Sequence, residues 1–91
     1  MSDKYPYFVV TFPSVHHAIK TESKLKGKAD FLIRLVPVPR EISSSCGVAA
    51  KINNAQLVEI KGLFAANELE YDCIYLYDKP KQKPILVDKI K

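Results

Sequence analysis

The chain has 91 residues, of which 47% are hydrophobic and 26% are charged, and these values are typical of one soluble globular domain. No apolar run approaches the ~20 residues that a membrane-spanning helix needs, which argues against a membrane protein. The N-terminus lacks the apolar core of a signal peptide and the chain contains two cysteines, so we expect a cytoplasmic protein with free thiols.

The net charge of +4 is unevenly distributed along the chain. Residues 78–91 carry five lysines and two aspartates, or +3, whereas residues 1–77 carry nine basic and eight acidic groups, or +1. A nearly neutral globular part argues against a nucleic-acid partner, which would need a basic patch on the fold itself. We therefore divide the chain into one domain at residues 1–77 and a solvated, lysine-rich tail at residues 78–91.

The first half of the chain predicts a strand, a helix and a second strand. "YPYFVVTF" at residues 5–12 is rich in β-branched and aromatic residues, which is typical of a strand. Ser14 is a natural N-cap for the helix that follows, and Gly27 is a suitable end for it. The apolar stripe of this helix comprises Val15, Ala18, Ile19 and Leu25. "DFLIRLV" at residues 30–36 predicts the second strand.

The second half repeats this order after an irregular loop. Pro37 and Pro39 each lack a backbone donor, so residues 37–45 cannot be a regular strand or helix. "GVAAKI" at residues 47–52 and "EYDCIYLY" at residues 70–77 predict the third and fourth strands. Between them Asn53 or Asn54 caps a second helix. Its buried stripe comprises Leu57, Ile60, Leu63 and Phe64. "ILVD" at residues 85–88 is either an edge strand or an irregular end.

The order β-α-β-β-α-β predicts an α+β fold. We expect a ferredoxin-like sandwich in which both helices cover one face of a four-stranded antiparallel sheet. Right-handed crossovers would bring the start of the first helix to the edge where the second strand ends and the third begins. Ser14, His16 and the loop at residues 37–46 are therefore predicted to share one edge of the domain.

The stretch "PREISSSCG" at residues 39–47 carries the candidate chemistry. A cysteine reacts as the thiolate, and its unperturbed pKa of about 8.5 means that a neighbouring group must favour the anion. At the predicted edge Arg40, His16 and the start of the first helix are such groups. Gly47 permits a close backbone approach or a positive φ. Hydroxyl donors to an anion are Ser43, Ser44 and Ser45. The loop thus predicts a thiolate or persulfide at Cys46, or a small bound oxyanion.

A structural interpretation of the same loop stands beside this one. Cys46 has the strand parity of Val48 and Ala50, so a straight third strand would direct it into the core as a small hydrophobe. Serines also cluster in ordinary loops, and Arg40 with Glu41 would then be a simple surface pair. Cys73 lies among tyrosines inside the fourth strand and is the weaker candidate for a functional thiol.

Other sites are not indicated. The chain has no CxxC or HxxxH spacing, no carboxylate cluster and no glycine-rich phosphate loop, so neither a metal nor a cofactor is predicted. His16 and His17 would point about 100° apart on a helix, so they cannot chelate one metal together. His17 is predicted to be solvated, and no serine–histidine–aspartate arrangement follows from the spacing.

"VTFPSVHHA", "LVPVPREISSSCGVA" and "YDCIY" together resemble a small bacterial domain family of selenium/sulfur carrier-like proteins, over residues 5–77. The resemblance implies that Cys46 is the carrier cysteine. Its implied surround comprises Arg40, Glu41, Ser43, Ser44, Ser45 and Gly47. The second matching motif comprises Thr11, Pro13, Ser14 and His16. His17 departs from the family pattern, in which an acidic residue is more usual, and the lysine-rich tail lies outside the pattern.

Two functions follow from these observations. In the first, Cys46 accepts sulfur or selenium as a persulfide or selenosulfide from a donor protein and passes it to an acceptor protein, without a cofactor and without being a turnover enzyme by itself. In the second, the chain is a binding or assembly module in which Cys46 is structural.

The second function rests on the sheet face that two helices would leave uncovered. A tyrosine-rich, partly apolar face is typical of a protein interface, so we expect a homodimer. The residues assigned to this face are Tyr5, Tyr7, Val9, Leu32, Val36, Tyr75 and Tyr77, with Tyr71 and Cys73 sharing their strand parity.

Overall fold

The structure is a computed structural model that describes residues 5–26, 32–42, 47–53 and 55–89, with only the backbone of Leu32. It is an α+β fold with two helices and an antiparallel sheet. The strands are β1 (Tyr7–Thr11), β2 (Leu32–Pro37), β3 (Val48–Asn53), β4 (Cys73–Tyr77) and β5 (Ile85–Lys89). The helices are α1 (Val15–Leu25) and α2 (Leu57–Ala66).

The sheet has five strands in the order β2-β3-β1-β4-β5, with every neighbouring pair antiparallel. The prediction of a four-stranded sheet is therefore wrong, and the ferredoxin-like sandwich as predicted is not confirmed. Part of the lysine-rich segment supplies the fifth strand, which pairs with β4 through a bulge at Ile74 and Tyr75. This strand forms because Val87 packs against the core and Asp88 accepts a hydrogen bond from the Tyr71 hydroxyl.

Both helices pack against one face of the sheet. The core between them comprises Phe8, Val10, Phe12, Ala18, Leu25, Ala50, Ile52, Ile60, Phe64, Leu69, Tyr71 and Ile74. Phe12 stacks on Phe64 with ring centroids 6.3 Å apart, and Tyr71 meets Phe64 edge-on at 5.2 Å. Tyr71 therefore lies on the helix-covered face, so its assignment to the opposite face is wrong: it precedes β4 and does not follow the alternation of that strand.

The buried stripe of α1 differs from the predicted one. Ala18, Thr21 and Leu25 are buried, whereas Val15 and Ile19 are 44% and 53% exposed. The buried residues follow a spacing of three and four, which keeps them on one side of a helix. Val15 and Ile19 lie on the flank of that side, so the predicted stripe was correct at its centre and wrong at its margin.

The second helix begins later than the asparagines suggested. Its N-cap is Gln56, which forms a capping box with Glu59, so the prediction of Asn53 or Asn54 is wrong. Asn53 is instead the last residue of β3, and Asn54 lies outside the described residues. The Gln56 amide donates to Glu59 Oε1 at 2.9 Å, which satisfies one of the free donors at the start of the helix.

The sheet face opposite the helices is largely covered by the chain itself. Ile42 is 5% exposed and packs there with Tyr7, Val9 and Tyr77. The tyrosine face was expected to be uncovered, and for these residues the expectation is wrong because the segment after β2 folds back across them. The homodimer stays a prediction, although this covering removes much of the surface that suggested it.

In the part of the chain that the structure describes, neither helix is long and apolar enough to cross a membrane.

Candidate functional site

Four strand ends meet at one edge of the sheet. Thr11, the last residue of β1, pairs with Ala49 near the start of β3 and with Cys73 at the start of β4. Pro37, the last residue of β2, pairs with Val48. The start of α1 and both described ends of the connection between β2 and β3 consequently lie at this edge, which we call the β1-end edge.

The connection between β2 and β3 is closed at its base by a hydrogen bond. The Val38 amide donates to the Gly47 carbonyl at 3.2 Å, and the Ile42 amide donates to the Pro39 carbonyl at 3.0 Å. The second bond makes a turn that directs Ile42 against the sheet. Ser43, Ser44, Ser45 and Cys46 lie outside the described residues.

Glu41 extends away from the β1-end edge. Its Oε2 accepts a hydrogen bond of 2.9 Å from the hydroxyl of Tyr77, which pairs with Tyr7 at the other end of β1. Burial raises the pKa of Tyr77, and the hydrogen bond and negative charge of Glu41 raise it further. Glu41, predicted to surround the cysteine, thus anchors the turn across the sheet face.

Arg40 and Gly47 are both exposed. Within the described residues Arg40 makes no hydrogen bond or ion pair, so its charge faces solvent. Gly47 does not have a positive φ, and a Cβ built on it meets no described atom within 4 Å. Of the two alternatives predicted for Gly47, the positive φ is not observed, and the close approach of a bound group to its backbone stays a prediction.

Ser14 is the N-cap residue of α1, but its side chain makes no capping hydrogen bond. Its Oγ instead lies 2.7 Å from Nδ1 of His17, and Nε2 of His17 lies 3.3 Å from Glu70 Oε1. His17 was predicted to contact only solvent. This prediction is wrong, because its imidazole connects the Ser14 hydroxyl to the Glu70 carboxylate. His16 is exposed, and in the described structure its side chain makes neither a hydrogen bond nor an ion pair.

Glu70 reaches His17 because the segment after α2 is held on both sides. The Leu69 amide donates to the Phe64 carbonyl at 2.8 Å, and the Asp72 amide donates to the Thr11 carbonyl at 2.7 Å. Leu69 and Tyr71 are buried, so Glu70 between them projects outward. Sequence reasoning missed this residue, since its 53-residue separation from His17 leaves no periodic signal.

Cys73 lies at the same edge and is 8% exposed. Its amide donates to Thr11 Oγ1 at 3.1 Å, and Thr11 Oγ1 lies 3.4 Å from the Cys73 carbonyl oxygen. Burial, followed by the neighbouring Cys73, raises the pKa of Tyr75. Cys73 was placed inside a strand from the sequence, whereas β4 begins at this residue.

No group of three or more histidine, cysteine, aspartate or glutamate side chains able to hold a metal is present among the residues that the structure describes.

Residues 7–76 match the model of a protein family described as "Putative Se/S carrier protein-like". No curated protein and no solved structure matches the chain.

Proposed function

Because the chain belongs to the Se/S carrier-like family, we propose that it carries a sulfur or selenium atom on Cys46. The observation that supports this proposal is that the chain is anchored to the fold on both sides of residues 43–46. Ile42 is buried against the sheet, Glu41 binds Tyr77, and Gly47 accepts a hydrogen bond from Val38. Gly47, which directly follows Cys46 in the chain, is exposed. Anchored flanks beside an exposed position suit a residue that must meet partner proteins.

The proposed loading step is a transfer of sulfane sulfur without net oxidation. The Cys46 thiolate attacks the outer sulfur of a persulfide R–S–SH, a new S–S bond forms, and the bond in the donor breaks. The group RS⁻ leaves and takes up the proton that Cys46 released, so Cys46–SH and R–S–SH become Cys46–S–SH and R–SH. An acceptor thiolate then repeats the attack on the carried atom. Selenium would be carried in the same way as a selenosulfide.

We choose the groups that would favour the Cys46 thiolate by their charge and their capacity to donate hydrogen bonds. Arg40 is an exposed cation six residues before Cys46, and a cation near a thiol favours the thiolate. The hydroxyl groups proposed to donate to the anion belong to Ser43, Ser44 and Ser45. Gly47 leaves space in which a bound group can approach the backbone. No cofactor enters this proposal.

The test is the intact mass of the protein after incubation with glutathione persulfide. We expect the addition of one sulfur atom that a reducing agent removes. Cys46→Ser should abolish the addition, and Cys73→Ser should retain it. A wild-type mass that stays unchanged, or an addition that maps to Cys73, would overturn the carrier proposal.

A binding module is the second candidate function. Ile85 and Leu86 of β5 are 48% and 49% exposed on a strand at the edge of the sheet, and an exposed apolar edge strand pairs readily with another chain. In this alternative Cys46 is structural. It predicts that Cys46→Ser leaves assembly unchanged and that the persulfide donor adds no mass.

A further inference from the structure

We propose that β5 is the docking site for an extended, acidic segment of a partner protein, which adds to the sheet as a further strand. The inference rests on the binding-module candidate for the exposed edge, and it does not depend on the chemistry of Cys46. Three features of the described residues carry it. They are the position of β5 in the sheet, the exposure of its apolar side chains, and the lysines on both sides of them.

β5 lies at an edge of the sheet and has one free side. It is the last strand in the order β2-β3-β1-β4-β5, and among the described residues no strand lies beyond it. Its other side pairs with β4. Alternate residues of a strand direct their amide and carbonyl groups to opposite sides, so part of the β5 backbone is available to hydrogen-bond an added strand. Strand addition of this kind is a recurring mode of peptide recognition.

Two adjacent apolar side chains lie at this edge, one on each face of the sheet. Ile85 pairs with Leu76, which packs against the core on the helix-covered face. Leu86 pairs with Tyr75, which packs with the cluster on the opposite face. Ile85 is 48% exposed and Leu86 is 49% exposed. A strand added at the usual spacing of about 4.8 Å would cover both with its own side chains.

Exposed lysines flank this apolar pair on both sides. They are Lys79, Lys81 and Lys83 before β5 and Lys89 at its end. In the described structure none of these four side chains forms a hydrogen bond or an ion pair. A partner that approaches β5 therefore meets a positively charged strip with an apolar centre.

The aspartate within β5 does not offset this charge, because it is engaged on the helix-covered side. Asp88 accepts a hydrogen bond from the Tyr71 hydroxyl, and its Oδ1 lies 3.5 Å from Lys61 Nζ. Tyr71 belongs to the core under the helices, and Lys61 belongs to α2. The carboxylate is thus paired with a cation of α2, and the lysines determine the sign of the charge at the edge.

Charge complementarity decides between a second copy of this chain and a different partner. Two copies paired through β5 would bring the same lysines to the shared edge, and like charges that face each other across strands are destabilising. Lysines on an edge strand commonly prevent such self-association. The same charges attract acidic side chains, so this edge disfavours a second copy and selects an acidic partner.

The positions of the lysines set the pattern expected in the partner. Lys83 lies two residues before Ile85, and Lys89 lies three residues after Leu86. The complementary segment is therefore a short apolar stretch in β conformation with glutamate or aspartate at both ends. Proline inside the stretch would prevent binding, because proline lacks the amide donor that strand pairing uses.

The test measures the binding of three fluorescein-labelled peptides to the full chain by fluorescence anisotropy. The acidic probe is "EETVIVTEE", the basic control is "KKTVIVTKK", and the proline control "EETPIPTEE" keeps the charge but cannot pair as a strand. We expect the acidic probe to bind at least about tenfold more tightly than either control, and more weakly as salt is added. Equal affinities for the acidic probe and the proline control would overturn strand addition. Equal affinities for the acidic and basic peptides would overturn the acidic partner.

Two double variants with the same change in net charge locate the binding on the chain. Lys83→Glu with Lys89→Glu should weaken binding of the acidic probe by about tenfold and strengthen binding of the basic control. Lys20→Glu with Lys24→Glu reverses two exposed charges on α1 and should change the affinity by less than about twofold. Equal effects of the two double variants would show that the net charge, and not β5, attracts the probe.

Hydrogen exchange locates the added strand without any substitution. With the acidic probe in excess, exchange should slow at amides of residues 85–89 and stay unchanged in α1. Protection that is absent from β5 would overturn the proposal.

Sedimentation equilibrium tests the second copy as the occupant of this edge. We expect Leu86→Lys to leave the mass of the free protein unchanged, because a second copy does not pair at β5. A wild-type dimer that Leu86→Lys separates would show that the second copy occupies the edge, and it would overturn the acidic partner.

Failure of this inference is distinguishable from failure of the two candidate functions. If Cys46 accepts sulfur and the acidic probe does not bind, the carrier proposal stands and this inference is wrong. If the acidic and basic peptides bind β5 equally, the binding module stands and the acidic partner is wrong. If the acidic probe binds β5 selectively and no sulfur is accepted, this inference stands and the carrier proposal is wrong.

Discussion

The hydroxyl of Tyr77 donates a 2.9 Å hydrogen bond to the carboxylate of Glu41 across 36 residues of chain. This bond joins the end of β4 to the turn that precedes the candidate cysteine loop. It thereby couples the loop to the central strands of the sheet, where Tyr77 also stacks on Tyr7 with ring centroids 5.0 Å apart.

Tyr77→Phe should loosen this turn. We expect a loss of about 1 kcal/mol in the free energy of unfolding, because a hydrogen bond to a charged but solvent-accessible group is removed. Hydrogen exchange should accelerate at the amides of Val38 and Ile42. The pKa of the Tyr77 hydroxyl is raised in the fold. Its contribution to the free energy of unfolding is therefore present below the ordinary pKa of 10.0 and is lost as the pH rises above that value. Tyr5→Phe, at a 37% exposed ring, is the control and should change neither quantity.

Ile42→Ala should destabilise the protein through lost packing on the sheet face. Ile42 is 5% exposed, and removal of a buried isoleucine side chain costs about 2 kcal/mol or more. Urea unfolding followed by circular dichroism measures the change. Val58→Ala removes a 73% exposed side chain and should cost under about 0.5 kcal/mol. Equal losses in the two variants would show that the turn does not cover the sheet in solution.

Asp88→Asn should weaken the attachment of β5 in a pH-dependent way. The hydrogen bond from Tyr71 lowers the pKa of Asp88, and Lys61 at 3.5 Å lowers it further against the opposing effect of burial. The carboxylate therefore contributes stability above its ordinary pKa of 3.8, and this contribution is lost as the pH falls below it. We expect a loss of about 1 kcal/mol at pH 7 that disappears near pH 2.

The same pair has a second signature at high pH. Burial and the hydrogen bond to Asp88 raise the pKa of Tyr71 to about 12. Its contribution to stability is present below pH 10 and is lost between about pH 10 and 12. Lys61→Ala is the control, since the Lys61 side chain is 50% exposed and its surface pair should contribute under about 1 kcal/mol. A flat difference between wild type and Asp88→Asn from pH 2 to 7 would contradict the account.

Glu68→Gly should stabilise the protein. Glu68 has a φ of 54° directly after the C-cap of α2, where Glu68 and Leu69 donate to Ala65 and Phe64 in a Schellman motif. Glycine adopts this conformation without the Cβ penalty, so we expect a gain of about 0.5–1 kcal/mol. Ala66→Gly changes the last residue of α2, where φ is negative, and should instead lose about 0.5–1 kcal/mol. Thermal unfolding of both variants decides the sign.

Arg40→Ala should slow the reaction of Cys46 with iodoacetamide. Arg40 is an exposed cation close to Cys46 in the chain, and its removal should lower the thiolate fraction, with an effect of about twofold to threefold in a solvated loop. Lys79→Ala removes one positive charge from another exposed position and should leave the rate unchanged. A rate that rises in Arg40→Ala would contradict the proposed role of its charge.

The local pattern of the sequence was sufficient to predict the two helices and the first four strands within a few residues of their bounds. The run of aromatic and β-branched residues in β1 and the spacing of Ala18 and Leu25 in α1 are short-range signals, and they indicate which segments contribute to a core. The sequence does not decide whether the fifth strand forms, because "ILVD" is short and lies among lysines and prolines. Pairing with β4 and burial of Val87 decided its conformation, and neither is visible in a local pattern.

The sequence by itself determined the approximate lengths of the helices and strands, the nearly neutral charge of residues 1–77 and the types of residue that neighbour Cys46 in the chain. The tertiary structure alone decided that Glu41 binds Tyr77, that Ile42 covers the tyrosine face, and that His17 rather than His16 meets a carboxylate. Each of these contacts joins residues far apart in the chain. These contacts depend on the path of the loops, and that path is determined by strand pairing and burial across the whole fold. Propensity and periodicity describe only residues within a few positions of each other, so they cannot predict such contacts.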